Sequence, residues 1–316
     1  MKGATTMVSL VEDYLERRRR LGFALQSEEQ RLMCFARFAD QIGHSGPITV
    51  ELALRWACSS SRSTAATRAG RLKILSPFAK YRLQFDSATE IASSGLCGPG
   101  YRRLTPHIYS EEEIETLLDT ARQLPPTGGL RPVTCETVFG LLAATGLRIS
   151  EALALRREDV NLERSLLTIR QSKFRKARQV PLHPTTTEAL RAYARIRDKR
   201  LPTSTTEAFF VSDCGRPVNY RQIAYAFARL RVQLGWQARG GHPHPRIHDL
   251  RHSFICRRLI GWYQEGIDVG NAMLLLSTYV GHTQVTDTFW YVTAIPELMT
   301  IAGDRFEHFA QGGNHA

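Results

Sequence analysis

Five separated stretches of the chain carry side chains suited to handling a phosphate ester. In His248-Asp249-Leu250-Arg251-His252, His248 and Arg251 stand three residues apart, so on a helix they leave one face about 5–6 Å from each other. A permanently charged, forked donor beside a titratable imidazole is a phosphate-handling pair. The same string has histidines four residues apart, as zinc-protease helices do. That chemistry needs a Glu directly after the first His, where Asp249 stands, and Arg251 between the ligands would repel a cation. No metal and no cofactor are expected. Thr145-Gly146-Leu147-Arg148 places an Arg just after a glycine break, at a helix start. Lys173 projects an ammonium from a turn, Gly281-His282 offers another imidazole at a helix start, and Tyr291 follows in Thr288-Phe289-Trp290-Tyr291-Val292. Taken singly, each has a plain structural reading: Arg148 pairs with Glu151, Lys173 sits in a solvated turn, His282 caps or packs, and Tyr291 fills a core.

The elements that must position these groups can be read from apolar periodicity. Residues 8–43 read as two helices, 50–58 as a third, and 64–83 as a fourth, amphipathic one carrying Arg68, Arg71, Lys73 and Lys80. Charge recurring between apolar residues makes the fourth a better phosphate-gripping surface than the run Arg17–Arg20, which also fits a solvated face. Ser87–Arg103 is rich in Ser and Gly, shows no period, and reads as a linker. A small, basic, helical domain over residues 1–86, a linker over 87–105 and a second domain over 106–316 are therefore expected. The second domain opens on Ser110-Glu111-Glu112-Glu113, a capping-box pattern. A loop at Pro125–Pro132, an apolar helix over 133–144 and a further helix through Leu155 follow. Leu166–Ile169 and Gln179–Leu182 read as strands of a hairpin with Lys173–Lys176 at its turn. The rest reads as mostly helical, so the fold class is mainly α with a small antiparallel β-sheet.

The 316 residues carry 42 Lys and Arg against 30 Asp and Glu, a net charge of +12. Such a surplus favours a polyanionic partner, because each neutralised phosphate releases condensed counterions. Nucleic acid fits; charge alone leaves an anionic membrane surface open. The apolar run at Met273–Leu276 is broken by Ser277 and Thr278, and MKGATTMVSLVEDY lacks the apolar core of a signal peptide. A cytoplasmic protein is expected. The six cysteines have no paired spacing and read as free thiols.

In this order and spacing the five stretches resemble the tyrosine recombinases, the phage-type integrases that include Xer-type resolvases and Cre. The matching pieces are ATGLRISEAL around Arg148, Lys173 seven residues ahead of Val180-Pro181-Leu182, HDLRH at 248–252, GH at 281–282 and Tyr291. The likeness runs through residues 106–295; the helical first half is similar to the family's core-binding domain in architecture and position only. Two departures stand out. QSKFRKARQVPL lacks the glycine common in the Xer-type turn, leaving Lys176 as a rival to Lys173, and Gly261–Val280 is longer than usual.

The resemblance implies a catalytic set of Arg148, Lys173, His248, Arg251, His282 and Tyr291. Tyr291 would be the nucleophile, ending as a 3′-phosphotyrosyl link, and Arg148 with Arg251 would clamp the non-bridging oxygens. Lys173 would protonate the departing 5′ oxygen, His248 would act as general acid/base, and His282 would hydrogen-bond the phosphate. The link keeps the energy of the broken bond, so rejoining needs neither metal nor ATP. The implied partners are double-stranded DNA, further copies assembling a tetramer on paired sites, and companion recombinases; the implied setting is integration, excision or transposition of a mobile element, with chromosome-dimer resolution using the same residues. The tail, 296–316, would pack on a neighbouring subunit or on its own domain. The competing functions are a catalytically silent DNA-binding accessory protein and a type IB topoisomerase.

Overall fold

The computed structural model describes residues 6–23, 25–61, 63–100, 103–170, 177–203, 205–294, 299–300, 303 and 307. The turn bearing Lys173 and its rival Lys176 lies outside the described residues, as does nearly all of the tail 296–316. The chain divides into two compact units, Met1–Arg103 and Leu104–Ala316.

The first unit holds α1 (Met7–Arg20), α2 (Gln26–Gln41), α3 (Val50–Ala57) and α4 (Ala65–Leu83). Thr6, Thr49 and Thr64 each accept a backbone N–H from the first turn they precede, satisfying donors that a helix start leaves open. Asp40, near the end of α2, accepts the N–H groups of Met7 and Val8 at 2.8 and 3.1 Å, tying α2 to the start of α1. One face of each helix meets in a core where Phe35 sits edge-on to Trp56 and Tyr14 packs on Phe78. Part of the stretch expected as a linker is bound to this unit. Glu90 N–H donates to the Ile48 carbonyl at 2.7 Å, its carboxylate receives Val50 N–H at 2.6 Å, and Ala92 is buried.

The second unit begins with α5 (Glu111–Arg122), where Ser110 and Glu113 form the expected capping box. The helix α6 (Leu130–Thr145) follows, starting before the expected 133 because Pro132 fits a first turn. Leu130, Cys135, Val138, Phe139, Leu141 and Leu142 on α6 are all buried, as an apolar surface on more than one side requires. After α7 (Ile149–Leu153) comes an antiparallel sheet in the order β1 (Val160–Asn161), β2 (Leu166–Ile169), β3 (Arg178–Pro181). Leu167 faces Val180 across β2 and β3, both buried, while Thr168 and Gln179 pair on the outer face. The strand β1 carries no alternating run and is not evident from sequence. The helices α8 (Pro184–Arg200), α9 (Tyr220–Gln233), α10 (Ile247–Gln264), α11 (Val269–Val280) and α12 (Thr286–Ala294) complete the unit. A second small core joins α10, α11 and α12 through Phe254, Leu259, Met273, Leu276 and Tyr291. The long stretch 261–280 is thus the last turn of α10, a turn at Gly266 and the whole of α11.

The architecture is mainly helical with one small antiparallel sheet, as the periodicity implies. No helix among the described residues is long and apolar enough to cross a membrane.

Candidate active site

Two glycines shape the site. Gly146 ends α6 with φ of +63°, and an added Cβ would fall 2.5 Å from the Phe254 ring. Only glycine turns the chain there at no steric cost, and the turn sets Arg148 at the start of α7. Gly281 ends α11 with φ of +71°, and a Cβ there would fall 2.5 Å from Arg178 Nη1. His282 follows directly.

Arg148 is held on both sides. Its Nη1 donates to Glu151 Oε1 at 2.9 Å, its backbone N–H donates to Glu151 Oε2 at 3.0 Å, and its Nη2 donates to the Gly281 carbonyl at 2.9 Å. The partner read from sequence, Glu151, is present, and the bond to Gly281 joins α7 to the turn bearing His282. Glu151 is itself buried and also receives Arg178 Nη1 at 3.0 Å and Nη2 at 2.8 Å. Burial alone would raise the pKa of Glu151; the hydrogen bonds and charge of Arg178, then those of Arg148, outweigh it and hold the carboxyl below its ordinary value. Arg178 goes on to donate to the carbonyls of Tyr279 and Val280 at 2.9 and 3.3 Å. This one side chain links β3, α7 and the end of α11.

Arg251 is buried on α10, with Nη1 donating to the Gly146 carbonyl at 2.6 Å. Its Nη2 is buried with no hydrogen-bond partner among the described residues. Burial and then the nearby Arg148 charge lower its pKa to about 10, so it stays charged at neutral pH, and Tyr291 is close enough to act on it electrostatically. A guanidinium enclosed beside another guanidinium, with one nitrogen unmet among the described residues, is suited to holding an anion.

Tyr291 is buried, and its hydroxyl lies 2.5 Å from His252 Nδ1. His282 lies nearly parallel to the Tyr291 ring with centroids 6.4 Å apart, and its Nδ1 contacts Thr288 Oγ1 at 2.7 Å. His248 is exposed, and its ring stands perpendicular to that of His252 with centroids 4.8 Å apart. Desolvation by the atoms around it, then the charges of Arg251 and Arg246, lower its pKa to about 4; the exposure of the residue moderates the first of these. His248 is therefore neutral at pH 7. Asp249, the residue that spoils the zinc-protease pattern, receives Arg246 N–H at 2.8 Å and Nη2 at 2.6 Å, closing the start of α10. Among the described residues no group of three or more His, Cys, Asp or Glu is placed to hold a metal.

Arg148, His248, Arg251, His282 and Tyr291 are thus brought together in the second unit, and Lys173 falls outside the described residues. In the first unit, Lys73 and Lys80 are exposed, whereas Arg68 is partly buried. Arg71 donates to the carbonyls of Trp56 and Ala57 at 3.1 Å each, closing the end of α3.

Three contributors were not singled out from sequence for these roles. His252 entered only as a zinc candidate, although its place one turn beyond His248 puts it on the same face. Arg178 shares its strand face with buried Val180, and an Arg on an inward face demands a buried acid. Thr288 gives no sequence signal.

Comparison with known proteins matches residues 108–297 to the phage integrase family. A Sinorhizobium fredii protein named as an integrase/recombinase, y4rB, is 38% identical over 307 residues, covering 96% of this chain and 98% of the relative. The tyrosine recombinase XerD of Bradyrhizobium diazoefficiens is 27% identical over 291 residues, covering 87% of each chain. Among solved structures, the Tn1549 transposon integrase in complex with transposon right end DNA superposes with a TM-score of 0.69 at 15% identity, covering 96% of this chain and 100% of that one. The XerH site-specific recombinase bound to a palindromic difH substrate gives 0.64 at 16% identity, covering 94% and 84%. These structural likenesses establish a shared fold.

Proposed function

Because the chain belongs to the phage integrase family, whose tyrosine recombinases are site-specific recombinases, we propose that it cleaves and rejoins double-stranded DNA through a 3′-phosphotyrosyl link at Tyr291. The observation that carries this reading is the half-buried Arg148 beside the buried Arg251, one nitrogen of Arg251 unmet among the described residues, next to the Tyr291 phenol. A phosphate diester supplies the anion such a pocket suits. As the phenol oxygen adds to phosphorus, charge grows on the non-bridging oxygens, and fixed guanidinium donors stabilise that state more than the starting one. His282 completes the donor set, and Lys173 protonates the 5′ oxygen as it leaves. The phosphotyrosyl bond replaces the broken ester, so a 5′-hydroxyl from a partner strand reverses the step.

Strand exchange by this chemistry requires paired sites, and we assign the protein a tetramer on two DNA duplexes, with Arg68, Arg71, Lys73 and Lys80 of the first unit gripping backbone phosphates. Of these, Lys73 and Lys80 carry the larger share, since Arg71 is engaged within its own unit. The transposon integrase among the structural neighbours supports a mobile-element setting. The test is a nicked suicide duplex carrying the site that the protein selects from a random pool. The wild type forms an SDS-resistant adduct, whereas Tyr291→Phe binds the duplex and forms none. A wild type that binds but never forms an adduct supports a silent accessory protein instead.

A further inference from the structure

Resting on that reading of Tyr291, we propose that His252 takes the phenolic proton as the tyrosine attacks. The phenol must lose its proton to become a competent nucleophile, and a free phenol at pKa about 10 keeps it at neutral pH. Tyr291 is 1% exposed and His252 6%, so bulk water is poorly placed to take it. His252 Nδ1, 2.5 Å from the hydroxyl, is within the reach a general base requires. With its proton on Nε2, the imidazole offers the Nδ1 lone pair to the phenol.

The surroundings divide the labour between two histidines one helical turn apart. His248 is exposed and packs perpendicular to His252. His252 lies deeper, between His248 of its own helix and the Tyr291 and Trp290 rings of α12. Among the described residues, the charged and titratable groups around this centre include His248 and Arg251 on α10, Tyr291 on α12 and His282 beyond the Tyr291 ring, with Arg148, Glu151 and Arg178 acting on Arg251. The acid/base role that the family resemblance implies for His248 is therefore confined to the substrate side, and the nucleophile's proton goes to His252.

The step balances. The bond from Tyr291 Oη to phosphorus forms and the bond from phosphorus to the 5′ oxygen breaks. The phenol proton passes to His252 Nδ1, giving an imidazolium, and the 5′ oxygen receives a proton from Lys173. On rejoining, the incoming 5′-hydroxyl returns a proton to Lys173 and the imidazolium returns one to the phenolate.

The experiment uses the full chain and a duplex with a 5′-bridging phosphorothiolate, whose sulfur leaves without being protonated, so only the nucleophile's proton is at issue. His252→Asn sets an amide near Nδ1 that can hold the phenol but cannot take its proton. It should bind DNA within threefold of wild type and cleave about 100-fold slower at pH 7. Its rate should climb tenfold per pH unit to pH 9, whereas wild type reaches a plateau below pH 9. His252→Asn cleaving within threefold of wild type with the same pH profile overturns the proposal while leaving Tyr291 in place. If that variant fails to bind DNA, the wild-type profile decides: a plateau supports the proposal and a log-linear rise to pH 9 overturns it. An adduct from Tyr291→Phe, or none from wild type, removes the underlying reading and this proposal with it.

Discussion

Glu151→Gln isolates the charge that holds Arg148 and Arg178 together. The carboxylate accepts four hydrogen bonds at 2.8 to 3.0 Å from these two residues and is buried. An amide of the same shape keeps one oxygen but leaves two guanidinium groups facing one another without a counter-charge, close to a third on Arg251. Breaking a buried ion pair from one side costs about 3–5 kcal/mol. For a unit the size of Leu104–Ala316 that lowers its melting temperature by roughly 6–20 °C. The loss depends on pH. The folded pKa of Glu151 lies below its ordinary value, so its contribution is complete above the unfolded value of about 4.3 and is lost as pH falls through the folded one. The gap between variant and wild type should therefore be full at pH 7 and shrink below about pH 4. Bound DNA should also narrow it, because a phosphate supplies the missing anion. Calorimetric melting of the full chain, with and without its selected duplex, reads all three effects. A variant melting within about 2 °C of wild type at pH 7 would refute the assignment of Glu151 as the counter-charge of the pocket.

Arg251→Met removes a buried charge that lacks one partner, at the cost of a single bond to Gly146. Thermal melting should show the DNA-free variant at least as stable as wild type, by about 1–2 kcal/mol, while adduct formation falls more than about 100-fold; a melt several degrees lower contradicts this. Gly281→Ala forces a Cβ against Arg178 at a φ of +71° and should destabilise the unit by about 2 kcal/mol, read by the same melt; an unchanged melt means that this contact is soft. His248, depressed to about 4 by desolvation and then by the charges of Arg251 and Arg246, regains part of its basicity once a phosphate offsets Arg251. Titration calorimetry at pH 5.5 in two buffers of different ionisation enthalpy should show proton uptake on DNA binding, and none would contradict the electrostatic argument.

Much of this site is legible in the sequence because its residues occupy positions that local rules mark. Glycine breaks precede Arg148 and His282, a capping box opens the second unit, and two short β-prone runs flanking a basic turn identify β2 and β3. Helix spacing places His248 and Arg251 within reach of each other. What the sequence leaves open lies in contacts across long separations. The bond from Arg148 to the Gly281 carbonyl joins residues 133 positions apart, and Arg178 reaches α11 across 101. Local patterning shows that Arg178 faces inward and says nothing of which acid meets it. His252 carries the clearest lesson: a histidine four residues from another suggests a metal on spacing alone. Its partner is instead a phenol supplied by a separate helix, 39 residues on.

The atom of the protein that becomes joined to DNA identifies the nucleophile. Adduct trapped on the nicked duplex, digested with protease and nuclease, can be sequenced by mass spectrometry. A nucleotide remnant on the peptide containing Thr288-Phe289-Trp290-Tyr291-Val292, attached at Tyr291, is the expected result. A remnant on any other residue, or cleavage that leaves no remnant on the protein, would contradict it.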